Sequence, residues 1–280
     1  MFSSSDLAAF FPSKQLGISL FAFQELPSTN SFALDLIRNN PQDGTLILAN
    51  SQSEGRGRMD RQWFSPLGLN IYASLIKRFH GANTQIQDSG WIPPLAGLAI
   101  AMAIEEITAL SLALKWPNDI LIQEQKVGGI LCESATDSEG IRWVVIGFGI
   151  NVNLASSMFP PHLQEIATSL YKESGRSWDR LPLLHQITRR LEDIFTTLVD
   201  SNSSNYQKWK EIYQHRCSTI GKVIQVQFPD GSACTGLARS IGDHGQLQVC
   251  PMSSIHKPQS DRILDIHAGN IVHIRPAASI

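Results

Sequence analysis

The chain has 280 residues, of which 42% are hydrophobic and 17% are charged, and its formal net charge is −2 at pH 7. This length suffices for a full hydrophobic core and a second, smaller domain, and the composition is that of an ordinary globular protein. With 23 basic and 25 acidic side chains, the chain lacks the large positive field of a non-specific nucleic-acid binder.

Cysteine spacing and apolar patterning bear on the compartment. Cys132, Cys217, Cys234 and Cys250 form no C-x-x-C pair, so we predict neither a zinc site nor a disulfide framework and expect a cytoplasmic location. The eight histidines show no metal-ligand spacing, and no metal ligands are predicted. No signal peptide is visible. The longest apolar segment, residues 92–104, is too short to span a bilayer, so we predict a buried helix and no membrane partner.

In the first two thirds of the chain, helical and strand patterns are mixed. Ser28 is a candidate N-cap for a helix that ends near Arg38, and two strands then flank residues 55–63. Residues 95–110 are rich in alanine and leucine and predict a helix packed against a sheet. Further strands are predicted at 112–116, 120–122, 127–133 and 143–147, and further helices at 180–198 and 206–214.

The pattern changes after about residue 215. Residues 223–228 partly alternate and stop at Pro229-Asp230-Gly231, and a second turn signal follows at Asp243-His244-Gly245. Further strands are predicted at 246–250, 263–266 and 271–274, and this run of short strands within about 60 residues is typical of a small barrel. The sequence therefore predicts an α+β domain over residues 1–215 and a β-domain over residues 216–280.

Residues 55–63 form a loop with three arginines and two glycines between two apolar runs. Glycines let a backbone approach a ligand closely, and arginine forks match carboxylate or phosphate oxygens. The loop therefore suits an anionic small molecule. Taken alone, a solvated surface turn explains it equally well.

Other segments also combine polar residues with glycines. Lys115–Asp119 places a cation, an aromatic ring, an amide and a carboxylate on a turn, and Lys126–Leu131 begins a strand with a lysine and two glycines. Residues 147–152 begin like a dinucleotide fingerprint, but Val152 replaces the third glycine, which excludes a Rossmann site. Ser28-Thr29-Asn30 binds a polar ligand or only caps a helix. For Lys115–Asp119 and Lys126–Leu131 a structural explanation is at least as good, and for Ser28-Thr29-Asn30 taken alone helix capping is favoured.

Taken in order, these segments resemble the biotin protein ligase family. The motifs are Ser28-Thr29-Asn30, Gln52 with Gly55-Arg56-Gly57-Arg58 and Trp63, Lys115-Trp116-Pro117-Asn118-Asp119, Lys126-Val127-Gly128-Gly129-Ile130-Leu131 and Gly147-Phe148-Gly149-Ile150-Asn151. They cover roughly residues 22–155. The resemblance implies an α+β fold, with a mixed sheet flanked by helices as in class II synthetase-like biotin and lipoate ligases. It extends more weakly to a small C-terminal SH3-like β-barrel.

The resemblance implies a two-step ligase. The carboxylate of biotin attacks the α-phosphate of ATP to give biotinyl-5′-AMP and pyrophosphate, and a lysine of a biotin carboxyl carrier protein then attacks the mixed anhydride. Mg²⁺ is expected on the ATP phosphates. The expected partner is the carrier protein of acetyl-CoA carboxylase, and a homodimer is left open. Some members carry an N-terminal DNA-binding domain, but only 27 residues precede Ser28, so no nucleic-acid partner is expected.

The resemblance also implies roles for individual residues. The catalytic candidates are Lys126, Arg58 and Asp119, with Asp119 as an orienter or base for the incoming amine. The candidates for biotin binding are Ser28, Thr29, Asn30, Gln52, Gly55, Arg56, Gly57, Arg58, Lys126 and Gly129. The candidates for ATP binding are Arg58, Arg61, Trp63, Lys115, Asn118 and Asn151, with Trp63 as a surface for adenine.

One departure from the family pattern lies inside the arginine loop. Members often continue the loop with Arg-Gly, where this chain has Met59-Asp60. Asp60 removes a cation, adds an anion and lacks the conformational freedom of glycine. We expect the loop still to close over the adenylate but to hold it less tightly.

Three other functions compete with biotin ligation. A lipoate-protein ligase shares the catalytic architecture, although the arginine-glycine loop and Lys115–Asp119 favour biotin. A non-catalytic binding module would need neither the lysine nor the arginines that this chain retains. A DNA-binding regulator is disfavoured by the near-neutral charge.

Overall fold

The computed structural model describes residues 19–78, 90–198, 204–228, 230–254, 257–258, 263–267 and 270–273. Most of the segment before Ser28, on which the expectation about a DNA-binding domain depends, lies outside the described residues. So does the last residue of the strand predicted at 271–274.

A seven-stranded mixed sheet forms the larger part of the molecule. Its strands are β1 (Leu20–Leu26), β2 (Leu46–Gln52), β3 (Ile71–Arg78), β4 (Ala113–Lys115), β5 (Asp119–Ile122), β6 (Gln125–Thr136) and β7 (Arg142–Ile150). Their order is β1-β2-β3-β7-β6-β5-β4. Only the β1–β2 pair is parallel in this sheet. The long strands β3, β6 and β7 occupy its centre, so the glycine-rich end of β7 has a paired strand on each side.

Five α-helices accompany the sheet in the described residues: α1 (Thr29–Ile37), α2 (Ile92–Thr108), α3 (Leu170–Ser174), α4 (Arg180–Leu198) and α5 (Ser204–Arg216). The Ser28 Oγ atom caps α1 by accepting a hydrogen bond from the Ser31 amide at 3.4 Å. Helix α2 begins at Ile92, as the apolar segment 92–104 predicts and three residues before the alanine- and leucine-rich segment 95–110. Pro93 and Pro94 lie in its first turn, where amide donors have no helical partner anyway. Among the described residues, no helix combines the length and apolar character needed to cross a bilayer.

A second sheet follows α5. Its strands are β8 (Val223–Gln227), β9 (Ala233–Ile241), β10 (Leu247–Ser254), β11 (Lys257–Pro258), β12 (Leu264–Ile266) and β13 (Asn270–His273). The order is β11-β10-β9-β8-β13, with β12 paired to β10, and every pair is antiparallel. This arrangement is consistent with the expected SH3-like domain and, with the mixed sheet, confirms the predicted fold class. The division near residue 215 stays a prediction.

The hydrophobic core is continuous between the two sheets. One cluster of buried side chains includes Leu95 and Ile100 of α2, Ile146 of β7, and Val226 and Val249 of the second sheet. Helix α2 is therefore covered by the large sheet and by elements of the C-terminal region. This shared core gives the second sheet a fixed place beside the turn 115–119, which lies between β4 and β5.

Candidate active site

A cavity of about 810 Å³ opens at one end of the large sheet. It is lined by the start of α1, the loop 55–63, the turn 115–119 and the glycine-rich parts of β6 and β7. The predicted site residues on its wall are Ser28, Thr29, Asn30, Gln52, Arg56, Gly57, Arg58, Arg61, Trp63, Lys115, Asn118, Asp119, Lys126, Gly129 and Asn151. Gly55 lies just behind this wall. Motifs separated by more than 100 residues are thus brought to one place.

The floor of the cavity is made of glycines, and two of them leave no room for a side chain. Gly129 of β6 pairs with Gly149 of β7, and the Trp63 ring lies over both. A Cβ atom on Gly149 would lie 2.4 Å from the Trp63 Nε1 atom, and one on Gly147 would lie 1.9 Å from the Asn30 Oδ1 atom. These positions must therefore be glycine for Trp63 and Asn30 to approach the strand.

Trp63 has an unusual environment for a tryptophan. Its Nε1 atom is buried and has no hydrogen-bond partner in the part of the chain that the structure describes. The Lys126 Nζ atom lies 5.3 Å from the ring centroid, which is within cation–π range. A buried donor without an acceptor is costly, and here the Nε1 atom lies against Gly149, where the ring is packed closely on the strand.

Two lysines and one carboxylate meet beside the turn 115–119. The Lys126 Nζ atom lies 2.5 Å from the Asp119 Oδ1 atom. Burial lowers the pKa of the Lys115 ammonium, and the neighbouring Asp119 carboxylate partly offsets this effect by raising the pKa. The cavity wall carries an excess of positive charge, because three carboxylates (Asp119, Glu124 and Glu165) face five cations (Arg56, Arg58, Arg61, Lys115 and Lys126).

Arg58 connects the arginine loop to this turn. Its Nη1 atom donates to the Asn118 Oδ1 atom at 3.4 Å, and the Asn118 Nδ2 atom donates to the Ile130 carbonyl at 2.7 Å. Burial lowers the pKa of the Arg58 guanidinium, with Asp119 acting in the opposite direction and Arg61 in the same direction. Arg58 is thus a partly desolvated cation, a state in which its attraction to an anion is strengthened.

The other end of the cavity is neutral and polar. Gln52 accepts hydrogen bonds at its Oε1 atom from the Thr29 amide at 2.9 Å and from the Thr29 hydroxyl at 3.2 Å. Ser74 of β3 donates to the Asn30 Oδ1 atom at 2.6 Å and contacts the Thr29 hydroxyl at 2.8 Å. This end can offer both donors and acceptors to a neutral ring. Ser74 is a supporting residue that the sequence analysis did not identify.

Glu133 of β6 is a second residue that the sequence analysis missed. Its carboxylate makes a two-pronged ion pair with Arg56, at 2.7 and 3.1 Å, and also accepts a hydrogen bond from the Asn30 Nδ2 atom at 2.9 Å. Arg56 thus has a protein anion as its partner, and its side chain joins the loop to β6. A single glutamate in a strand belongs to no recognisable motif. The only signal in the sequence is its position two residues after Leu131, which puts both side chains on the face of β6 toward the cavity.

The loop 55–63 is a small hairpin. The Gly57 amide donates to the Arg61 carbonyl at 2.7 Å, and the Trp63 amide donates to the Gly55 carbonyl at 2.8 Å. At its tip, Met59 and Asp60 have φ angles of 55° and 57°. This is the left-handed region that glycine adopts easily, so Asp60 takes the conformation expected of the family's glycine, at a steric cost.

Asn151 lines the cavity, but its side chain is engaged within the protein. Its Nδ2 atom donates to the Thr168 carbonyl at 3.0 Å, and its Oδ1 atom lies 3.5 Å from the Asn70 Nδ2 atom. Asn70 is held in turn by Arg180, whose Nη1 atom donates to the Asn70 carbonyl at 2.9 Å. The predicted contact of Asn151 with nucleotide remains a prediction.

The acidic residues of the cavity bear on the expected Mg²⁺ ion. In the described ranges, no group of three or more His, Cys, Asp or Glu side chains is placed to hold a metal ion. Asp119, which lines the cavity, is paired with Lys126. Such a donor set fits an ion carried mainly by ATP phosphates and its own waters.

Comparison with known proteins decides the family. A family model described as "Biotin/lipoate A/B protein ligase family" matches residues 20–151. Over 255 residues, the chain is 34% identical to the bifunctional ligase/repressor BirA of Bacillus subtilis (strain 168), a match that covers 91% of this chain and 76% of the relative. The chain belongs to the biotin/lipoate protein ligase family. The resemblance stated from the motifs is thereby confirmed.

Other members of the biotin/lipoate protein ligase family agree in sequence and fold. The biotin--[acetyl-CoA-carboxylase] ligase of Mycobacterium tuberculosis is 32% identical over 236 residues, which cover 83% of this chain and 80% of that relative. The biotin protein ligase of Aquifex aeolicus, solved in complex with biotin and ATP, has a TM-score of 0.72 at 26% identity. That match covers 92% of this chain and 99% of the other, so the likeness includes the C-terminal region.

Proposed function

We propose that this chain is an ATP-dependent ligase that forms biotinyl-5′-AMP and transfers biotin to a specific lysine of a biotin carboxyl carrier protein. The observation that carries the proposal is the polarity of the cavity. Its neutral polar end at Thr29, Asn30 and Gln52 faces a cationic end at Arg58, Lys115 and Lys126. Biotin has a neutral ureido ring at one end and a carboxylate at the other, and ATP is a polyanion.

In the first step, two anions must meet. The carboxylate oxygen of biotin attacks the α-phosphorus of ATP, and the bond to the β-phosphate oxygen breaks to release pyrophosphate. Lys126 and Arg58 offset the repulsion and stabilise the charge that grows at phosphorus. Lys126 exchanges its contact with Asp119, now 2.5 Å away, for the substrate oxygens. Mg²⁺, when bound with ATP, neutralises phosphate charge.

In the second step, the amine of the carrier lysine attacks the acyl carbon of biotinyl-5′-AMP. An amide forms, the bond to the phosphate oxygen breaks, and AMP leaves. The ammonium group of the carrier must first lose a proton, and the Asp119 carboxylate is the acceptor available beside Lys126. The hairpin 55–63 covers the mixed anhydride and limits its hydrolysis.

The remaining parts of the proposal concern partner and location. A relative named biotin--[acetyl-CoA-carboxylase] ligase supports the carrier protein of acetyl-CoA carboxylase as the acceptor. All four cysteines are free, which agrees with a reducing cytoplasm. A homodimer remains open, and no nucleic-acid partner is proposed.

The test is ATP–pyrophosphate exchange by the purified chain with Mg²⁺, run with biotin and with lipoate in parallel. We expect exchange that depends on biotin and not on lipoate, followed by labelling of a carrier domain that fails when its target lysine is replaced by arginine. Exchange with lipoate alone would instead identify a lipoate-protein ligase. Tight biotin binding without exchange or labelling would identify a non-catalytic binding module.

A further inference from the structure

A turn of the C-terminal sheet accepts hydrogen bonds from side chains of the larger part of the molecule. The turn comprises residues 242–245, between β9 and β10. The Trp91 Nε1 atom donates to the carbonyls of Gly242 and Asp243, at 3.1 and 2.8 Å. Lys210 of α5 donates to the Asp243 carbonyl at 3.1 Å. Backbone carbonyls of one region are therefore satisfied by side chains that precede it in the chain.

The backbones also approach closely. A Cβ atom on Gly90 would lie 2.2 Å from the His244 carbonyl oxygen, and one on Gly245 would lie 2.3 Å from the carbonyl carbon of Gly90. Neither position can hold a side chain without moving the turn. The turn 242–245 is thus fixed against the start of α2 by both hydrogen bonds and close packing.

The same turn holds Trp116, the second residue of the motif 115–119. The Trp116 Nε1 atom donates to the Gly245 carbonyl at 2.9 Å, and the Trp116 amide donates to the Thr219 Oγ1 atom at 3.2 Å. Trp116 is buried, so both bonds are shielded from water. The C-terminal region therefore fixes this residue at its backbone and at the far end of its side chain.

Trp116 is followed closely by residues that face the main cavity. Asn118 accepts a hydrogen bond from Arg58, and Asp119 pairs with Lys126. A second cavity of about 140 Å³ lies between the turn 242–245 and this motif, and Arg58 and Asn118 line both cavities. The neutral end of the main cavity is held differently, by Ser74 and Glu133 of the large sheet.

We propose that Trp116 is a positioning residue through which the turn 242–245 places Asn118 and Arg58, and thereby sets the affinity for the nucleotide rather than for biotin. The inference rests on the proposed function. The chain offers a matched pair to test it, because Trp91 and Trp116 are both buried and each donates its indole N–H to the same turn. Of the two, only Trp116 belongs to the cavity wall.

The experiment compares Trp116→Phe with Trp91→Phe. Each change removes one indole donor, so both variants should lose thermal stability to a similar extent. We expect Trp116→Phe to raise the KM for ATP in the exchange reaction about fivefold to tenfold, with the KM for biotin changed less than twofold. Trp91→Phe should leave both KM values within twofold of the original chain. Calorimetric titration with MgATP alone should show the same loss of affinity.

A second variant covers the case in which Trp116→Phe fails to fold or contacts nucleotide directly. Thr219→Val removes the bond to the Trp116 amide from outside the cavity, and Thr188→Val removes a buried hydroxyl bond within α4 as its control. Only Thr219→Val should weaken MgATP binding, by about threefold. Equal ATP affinity in test and control variants would overturn the inference. Absence of biotin-dependent exchange in the unsubstituted chain would instead overturn the proposed function.

Discussion

The floor of the cavity and the hairpin above it are built in opposite ways. The floor belongs to the central strand of a sheet, where Gly147 and Gly149 near the end of β7 pair with β3 on one side and β6 on the other. The hairpin 55–63 is closed by a few backbone bonds, and its tip has two non-glycine residues at positive φ. Strands paired on both sides resist local opening, whereas short hairpins with exposed bonds open at little cost in free energy.

This difference teaches how one site can serve two steps. Binding and activation of substrates require fixed geometry, which the paired glycine floor supplies. Transfer to a carrier requires that the intermediate first be covered and then uncovered, which the hairpin can do. Changes in the floor should therefore abolish binding, and changes in the hairpin should alter how long the intermediate stays.

The largest effect is expected for Gly147→Ala. The new methyl group would lie 1.9 Å from the Asn30 Oδ1 atom and displace the side chain that Ser74 fixes. We expect biotin-dependent exchange at subsaturating biotin to fall at least about 100-fold. Gly97→Ala in α2 is the control, since its Cβ would meet side chains at ordinary distances of 3.4 and 3.6 Å. Equal exchange rates in the two variants would show that the shape of the glycine floor does not determine biotin binding.

Next in size is Lys126→Gln. The change removes the cation that lies 2.5 Å from Asp119 in the cavity, so the charge growing at phosphorus loses a partner. We expect the rate of adenylate formation to fall by about 10²–10³, measured in single turnover. Lys172→Gln is the control: Lys172 lies nearby, with Nζ bonded to the Gln125 side chain at 2.9 Å, but off the cavity wall. A similar loss in both variants would argue for a general charge effect.

A smaller effect is expected for Glu133→Gln. The amide keeps an acceptor for Asn30 but loses the charge that pairs with Arg56. Because this pair is partly exposed, we expect only about a threefold to fivefold rise in the KM for biotin, with the maximal exchange rate unchanged. Asp43→Asn is the control, since it breaks the comparably exposed Lys77–Asp43 pair. A fall in the exchange rate with a constant KM would contradict this role.

The smallest effect is expected for Asp60→Gly. Glycine relieves the positive φ of 57° and removes an anion from the hairpin tip. We expect the adenylate to dissociate about twofold to threefold more slowly in a chase experiment. Asp60→Asn separates the effect of backbone conformation from the effect of charge, because asparagine tolerates this positive φ and lacks the negative charge. If both variants release the adenylate as fast as the original chain, Met59-Asp60 does not weaken the hairpin.

Much of the fold follows from local sequence patterns. Helix α4 has the predicted bounds, because its apolar side chains keep helical spacing along its whole length. Helix α1 begins after its predicted cap, Ser28. Strand β9 was not identified, since a glycine and few β-branched residues hide it, although pairing with β8 and β10 makes it central. The short helix α3 and the strand β1 were also missed.

Some residues of the candidate site could likewise be predicted from local sequence patterns, and others could not. Residues inside contiguous motifs, such as Lys126 and Gly129, could be predicted from sequence because order and spacing identify them, and the structure places them on the cavity wall. Glu133 and Ser74 could not be predicted, because each is linked to the site by a hydrogen bond to Asn30, which is distant in the sequence. The bond from Trp116 to Gly245 joins residues 129 positions apart and has no local signature. Long-range side-chain contacts are set by packing, which periodicity does not report.

The central claim is that the floor forms the adenylate and the hairpin retains it. It is tested most directly by the rate at which labelled biotinyl-5′-AMP leaves the chain and its Arg58→Gly variant after formation from biotin and ATP. Arg58 joins the hairpin to Asn118, so we predict that the variant still forms the adenylate but releases it at least about tenfold faster. An unchanged release rate would contradict the claim.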